Sequence, residues 1–207
     1  MNKTPVLLAL LTLTGALVST VPDASAQGRV RGRGVAHSAE GGRFAATRAA
    51  GHGERGAYAR GRNVYSDGQG NVDGRSRAYA IGADGGTAQR QGSFYRNADG
   101  SAGRQASASV HGADGGSAQR QDSAYRNADG SAGRQRSASV NGANGGTANT
   151  SGNITRDADG NVDGSRSTSA TGRNGNSYNG STTLDNGVVT HSHSCTNAAG
   201  DVIACRN

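Results

Sequence analysis

The sequence predicts an all-β repeat protein, built as an antiparallel β-meander or as a β-solenoid. Glycine recurs every fifteen residues, and all but the first of these glycines follow Asp or Asn; they stand at positions 70, 85, 100, 115, 130, 145, 160 and 175. The stretches of about ten residues between the turns contain no proline and place Ser, Thr, Val and Tyr at alternating positions, which favours extended strands over helices. These observations indicate short strands joined by regularly spaced turns.

Composition limits what such a fold can bury. Glycine accounts for 35 of the 207 residues, and the chain after residue 26 contains few large aliphatic side chains. So little apolar surface excludes a sizeable core. Any order must therefore come from backbone ladders, side-chain stacking and association between copies. The alternative is a largely disordered, low-complexity chain.

Residues 1–26 are predicted to be a signal peptide. Lys3 precedes an apolar stretch over residues 6–18, and Ala24 and Ala26 frame a small-residue cleavage motif. The apolar stretch is shorter than the roughly 20 residues that a membrane-spanning helix needs. We therefore expect cleavage near Ala26 and a secreted protein, periplasmic, extracellular or on the cell surface, with no transmembrane segment in the mature chain.

Residues 27–62 form a basic arm rich in Arg, Gly and Ala, which we expect to be disordered. Only Glu40 and Glu54 oppose its arginines. Similar Arg-Gly segments follow phosphate backbones, because guanidinium groups make bidentate contacts with anions and stack on bases. The arm is thus a candidate binding site for an anionic polymer, through Arg29, Arg31, Arg33, Arg43, Arg48, Arg55, Arg60 and Arg62. The alternative is a solvated charge run.

Residues 63–180 are predicted to be a Gly-rich β-repeat array. The full repeat is thirty residues long, because N-A-D-G turns at 97–100 and 127–130 alternate with G-A-D-G turns at 82–85 and 112–115. In N-A-D-G the Asn side chain is expected to hydrogen-bond its own backbone and open a type I turn, and the glycine takes the positive φ that closes a hairpin with a bulge. This tight hairpin chemistry favours the meander over the solenoid.

The strands of this array present two polar faces. Over residues 117–126, Ala, Arg and Asp alternate with Ser, Gln and Tyr, so pairing register is weakly specified by hydrophobicity. We expect side chains that recur thirty residues apart to stack as ladders, in one series of Tyr65, Tyr95 and Tyr125 and another of Gln89, Gln91, Gln119 and Gln121. The alternative is a flexible polar spacer produced by duplication.

Residues 181–207 depart from the repeat and are predicted to form a disulfide-closed hairpin that caps the array. Cys195 and Cys205 are the only cysteines, and an exported protein usually oxidises such a pair. A simple hairpin through residues 197–200 would place Cys195 opposite Val202, so the bridge to Cys205 requires a bend after the turn.

Signals for metal binding and catalysis are weak. His191 and His193 precede Cys195 with the spacing that places three soft metal ligands on one face of a strand, but oxidation of the cysteine would remove one of them. Residues 157–164 resemble the start of a calcium loop and lack the distal Glu of an EF-hand. With no nucleophile motif or phosphate-binding signature, we expect no enzyme and no cofactor.

These features predict an exported structural or adhesive protein of the cell surface or extracellular matrix, which self-associates through β-stacking. The alternative is a secreted module that binds polyanions through the basic arm. The expected partners are accordingly further copies of the chain, or anionic polymers at the cell surface or outside the cell.

Overall fold

The computed structural model describes residues 28–205 and shows a single antiparallel β-sheet of thirteen strands. The strands are β1 Gly28–His37, β2 Arg43–Gly53, β3 Gly56–Ser66, β4 Val72–Gly82, β5 Thr87–Arg96, β6 Ala102–His111, β7 Ser117–Arg126, β8 Ala132–Asn141, β9 Thr147–Arg156, β10 Val162–Thr171, β11 Ser177–Asp185, β12 Val188–Thr196 and β13 Val202–Ile203. The predicted signal peptide and its cleavage site lie outside the described residues.

The strand order in the sheet is the order of the strands in the chain. Each inner strand pairs with its two sequence neighbours; Gln121, for example, lies between Ser107 on β6 and Ser137 on β8. The sheet is therefore an open meander, which confirms the predicted all-β class. The solenoid alternative and the largely disordered alternative are both wrong for residues 28–205.

Disorder of the basic arm was a wrong prediction over residues 28–62. These residues form β1, β2 and most of β3, and β3 pairs along its whole length with β4. The segment also has no boundary at residue 63, because β3 continues to Ser66. Its charge and glycine content are typical of disorder, but hairpin pairing onto an existing strand satisfies its backbone hydrogen bonds without a core.

The turns follow the predicted hairpin chemistry. In the turn between β5 and β6, the Gly100 N–H donates to the Asn97 carbonyl at 3.1 Å and the Asn97 N–H donates to the Ser101 carbonyl at 2.8 Å. Gly100 has φ +87°, a left-handed conformation that only glycine adopts without strain. The predicted backbone contact of the Asn side chain is wrong for this turn: Asp99 instead accepts from the Ser101 N–H at 2.8 Å, and Asn97 Nδ2 donates to the Ser101 hydroxyl at 2.9 Å.

The sheet is a single layer without a core. Among residues 28–205, no hydrophobic or polar side chain is fully buried. Stability must therefore come from the ladder of backbone hydrogen bonds and from cross-strand side-chain pairs on the two faces. The same residues include no helix long and apolar enough to cross a membrane.

The tyrosines and glutamines of the predicted ladders share rows, but the tyrosine rings do not stack on one another. Tyr95 and Tyr125 lie two strands apart, about 9.4–9.8 Å at the usual strand spacing, with Gly103 paired between them. Each ring instead lies over the glycine of the next strand, Tyr95 over Gly103 and Tyr125 over Gly133. The prediction of direct aromatic stacking is therefore wrong, because antiparallel pairing places a different half-repeat between identical residues.

At the carboxy-terminal end, Cys195 and Cys205 are joined by the predicted disulfide, with their Cα atoms 5.3 Å apart. Cys195 faces Ile203 rather than Val202, because the Asn197 N–H donates to the Asp201 carbonyl and the hairpin loop is one residue longer than predicted. The strand ends at Ile203, and the following residues bring Cys205 back to Cys195. A disulfide fits a protein of an oxidising compartment.

Candidate anion-binding face

The strand register separates the charged side chains between the two faces of the sheet. Directly paired residues share a face, and side chains along a strand alternate between faces. By this rule fifteen arginines share one side, here named the arginine face: Arg29, Arg31, Arg33, Arg43, Arg60, Arg62, Arg90, Arg96, Arg104, Arg120, Arg126, Arg134, Arg136, Arg156 and Arg166. All of them are exposed.

Acidic residues are nearly excluded from the arginine face. Within the described strands, Asp122 is its single carboxylate. The opposite face is balanced, with Arg48, Arg75 and Arg77 against Asp73, Asp163 and Asp185. The remaining acidic residues of the described chain lie in the turns. One side of the sheet therefore carries a large positive potential, which attracts anionic polymers.

Arginine and alanine alternate across the strands of the arginine face. The row through Arg60 continues to Ala78, Arg90, Ala108, Arg120 and Ala138, each paired with the next. Like charges directly opposite each other destabilise antiparallel pairs, and the alanines keep the arginines of this row two strands apart. The thirty-residue repeat produces this spacing, because it adds two strands at a time.

Asp122 lies beneath a cluster of arginines. Its carboxylate accepts hydrogen bonds from Arg134 Nη2 at 2.8 Å and from Arg136 Nε at 3.0 Å, and guanidinium groups of Arg104 and Arg120 lie 3.8 Å away. The hydrogen bond from Arg134, supported by that from Arg136, lowers the pKa of Asp122. The side chain of Asp122 is only 12% exposed, whereas those of the four arginines are 42–61% exposed. The cluster therefore remains positive and accessible.

One arginine of this face contacts an aromatic ring. Arg62 lies over the ring of Phe94, with its Cζ 5.7 Å from the ring centroid. Such a contact orients a guanidinium group without neutralising it.

The arm arginines proposed from the sequence are divided by the structure. Arg29, Arg31, Arg33, Arg43, Arg60 and Arg62 lie on the arginine face; Arg48 lies on the opposite face, and Arg55 lies in the turn between β2 and β3. Sequence reasoning missed the nine arginines of β5 to β10 that share this face. The signal was present in the sequence, because all nine of these arginines stand at even-numbered positions and several recur thirty residues apart.

The proposed metal ligands lie at the end of the sheet. His191 and His193 share the arginine face of β12 with ring centroids 5.4 Å apart, and Thr182 Oγ1 is 2.9 Å from His191 Nδ1. Cys195 is consumed by the disulfide, so the predicted three-ligand set loses its thiolate. Within residues 28–205, no three His, Cys, Asp or Glu side chains come together as a metal site.

The aspartate that begins the candidate calcium loop closes a turn. Asp157 accepts hydrogen bonds from the backbone N–H and side-chain Nδ2 of Asn161 at 2.8 and 2.7 Å, and the side-chain bond is the main cause of its lowered pKa. Asp99 and Asp129 have lowered pKa values for a similar reason, because the hydroxyls of Ser101 and Ser131 donate to them at 2.7 Å.

The geometry of the arginine face suits binding of a repeating anion rather than a single ligand. Its charges extend from β1 to β10 and project from paired strands, so a long polymer can contact several guanidinium groups together. Comparison of the chain with family models, with curated proteins and with solved structures finds no match.

Proposed function

We propose that this chain is an exported structural or adhesive protein of the cell surface or extracellular matrix, which attaches to an anionic polymer through the arginine face. The observation that supports this proposal is the separation of charge between the two faces: one side of the sheet has fifteen exposed arginines and one carboxylate. Phosphate, sulfate and carboxylate polymers share the required chemistry, because guanidinium groups bind all three.

A pair of matched triple variants tests this proposal. One variant carries Arg60→Gln, Arg90→Gln and Arg126→Gln on the arginine face, and the other carries Arg48→Gln, Arg75→Gln and Arg77→Gln on the opposite face. Both remove the same net charge. Binding to duplex DNA, dextran sulfate and vesicles of anionic lipid is measured over a range of salt concentrations, which distinguishes the sources of the anion.

The wild-type affinity should fall steeply with salt. On duplex DNA, each arginine that binds a phosphate contributes about 0.9 to the slope of log K against log salt, so the arginine-face variant should show a slope shallower by up to about 3 units. The opposite-face variant should remain close to the wild type. An equal decrease in both variants, or binding that salt does not affect, would contradict the proposal.

Self-association is a second candidate function, favoured by the open edges of the sheet. Strand β1 has no neighbour on its outer side among the described residues, and β13 covers β12 only at Cys195 and Thr196. Unpaired strand edges are templates for another chain. Val35→Pro on β1 should lower the sedimentation mass of an assembled protein, because Val35 lies between hydrogen-bonded pairs of β1 and β2 and its N–H therefore points to the open edge. An unchanged mass would remove this candidate.

A further inference from the structure

A row of aromatic side chains crosses the face opposite the arginines. This side is here named the hydroxyl–amide face, because from β5 to β12 it carries mainly Ser, Thr, Asn and Gln, as in the central row Gln91, Ser107, Gln121, Ser137, Ser151, Ser167, Ser181 and Ser192. A parallel row follows the paired residues Phe44, Tyr65, Asp73, Tyr95, Gly103, Tyr125 and Gly133. Its four aromatic members are 41–46% exposed, and they are named the aromatic row.

Two of these rings lie flat across the neighbouring strand. A Cβ atom on Gly103 would stand 2.6 Å from Cζ of Tyr95, and one on Gly133 would stand 2.7 Å from Cζ of Tyr125. Each ring therefore occupies the space of the side chain that glycine lacks. Its inner side covers the glycine backbone, which leaves the outer side as an exposed apolar surface on a polar face.

The spacing of the tyrosines is regular. Tyr65, Tyr95 and Tyr125 lie on β3, β5 and β7, so their backbones are about 9.4–9.8 Å apart at ordinary strand spacing, and the rings of Tyr95 and Tyr125 lie over the next strand in the same way. An extended β-1,4-linked polysaccharide repeats with two sugar units, which turns the same flat C–H face towards a surface at every second ring. Such faces pack against aromatic rings through dispersion and the ring quadrupole.

Amide side chains run alongside the aromatic row. The adjacent row of the same face contains Gln105, Gln135 and Asn153. Ser123 pairs with both Gln105 and Gln135, and Gln135 pairs with Asn153. Amides both donate and accept hydrogen bonds, as sugar hydroxyls do. Apolar rings beside a line of amides therefore offer a neutral sugar polymer both packing on its C–H face and hydrogen bonds to its hydroxyls.

The charges near the row favour a neutral polymer. Asp73 lies within the row between Tyr65 and Tyr95, and the turns at this end of the strands carry Asp67, Asp99 and Asp129. These carboxylates repel an anionic chain and accept hydrogen bonds from hydroxyls. The balanced charge of this face complements an uncharged partner, in contrast to the arginine face.

We propose that the aromatic row binds the flat face of an extended, neutral β-1,4-linked polysaccharide, with the rings contacting every second sugar. This site is separate from the arginine face and uses different forces. The two faces then attach one molecule to two different polymers.

Cosedimentation with microcrystalline cellulose and with chitin tests the proposal. The full mature chain is measured in about 1 M NaCl, where the Debye length of about 3 Å suppresses binding through the arginines. The wild type should be retained by at least one of the two polymers. Tyr95→Ala with Tyr125→Ala should weaken retention roughly tenfold or more, and Tyr95→Phe with Tyr125→Phe should preserve it, because phenylalanine keeps the stacking face.

Tyr58→Ala is the matched control, because the ring of Tyr58 also lies over a cross-strand glycine, Gly51, but on the arginine face. Its retention by each polymer should equal that of the wild type. All variants should keep β-type circular dichroism, and the double alanine variant should still bind dextran sulfate at low salt. If the wild type failed to bind dextran sulfate while the tyrosine variants behaved as expected on cellulose or chitin, the arginine face would be contradicted and this proposal would stand.

Three outcomes would overturn the proposal. The first is that neither polymer retains the wild type in high salt. The second is that Tyr58→Ala loses retention to the same extent as the double variant. The third is that the double variant lowers the sedimentation mass while no polymer is bound, which would make a second copy of the chain the occupant of this face.

Discussion

Tyr95 and Gly103 face each other in one cross-strand pair, and the tyrosine ring fills the position that a side chain on Gly103 would take. Gly103→Ala should therefore displace the ring, whereas Gly34→Ala on the same face adds its methyl group to open space. Replacing glycine without strain stabilises a protein by about 0.4–1 kcal/mol. Urea denaturation should show that gain for Gly34→Ala only. Equal stabilities for the two variants would contradict the arrangement of the ring.

The Asp122 cluster predicts a variant with increased affinity for anions. Asp122→Asn removes the carboxylate beneath Arg104, Arg120, Arg134 and Arg136. A charge near the site contributes about 1 kcal/mol at contact distance in water, so affinity for dextran sulfate at low salt should rise roughly fivefold. Asp73→Asn on the opposite face makes the same change in net charge and should have a smaller effect. A weaker-binding Asp122→Asn protein would show that the carboxylate organises the site instead.

Acid should destabilise the sheet through its turns. Hydrogen bonds from Ser101 and Ser131 lower the pKa of Asp99 and Asp129 in the folded state. A lowered folded pKa means that the stabilisation is complete above the unfolded value of about 3.9 and is lost as pH falls below it. Melting temperature should therefore be steady near neutral pH and fall below about pH 4.

The double variant Ser101→Ala, Ser131→Ala removes both hydroxyl donors and is the control for this pH dependence. Its melting temperature should start lower near neutral pH and fall less steeply in acid. Identical pH profiles for wild type and variant would show that these two turns do not cause the loss of stability.

The disulfide should act locally. Cys195→Ser with Cys205→Ser opens a short loop, which removes about 2–3 kcal/mol in the chain-entropy model. Strand β13 contacts only β12, so hydrogen exchange should accelerate in β12 and β13 and remain unchanged in β5 to β8. Accelerated exchange throughout the sheet would mean that the cap controls global stability.

The turns of the fold could be predicted from the sequence because their chemistry is local. Gly100 and Gly130 were expected to take positive φ, and their values of +87° and +88° confirm it. The cross-strand partner of Cys195 was predicted as Val202 and is Ile203, because hairpin register depends on the hydrogen bonds within the loop. Composition also misled the interpretation of residues 28–62, since it measures apolar content and this segment is ordered by pairing with its neighbours.

The candidate site was harder to predict because it depends on parity across many strands. Arg60, Arg90 and Arg120 share one row only because the intervening strands and turns together keep the register constant. The sequence showed a cluster of arginines near the amino terminus and a nearly neutral remainder. In the folded sheet, arginines from both of these segments share one face. That face is strongly positive because the aspartates of the second segment fall mainly in turns.

Consecutive pairing also determines how the molecule can change in length. Contacts between strands join only neighbours along the chain, so a thirty-residue unit can be gained or lost without repacking any other part. Each unit would widen the sheet by about 9.4–9.8 Å, the width of two strands. A gain of fifteen residues would instead reverse the direction of every later strand and exchange the turns at the two ends. Duplication of whole repeats is therefore a route by which related chains can reach different lengths with both surfaces preserved.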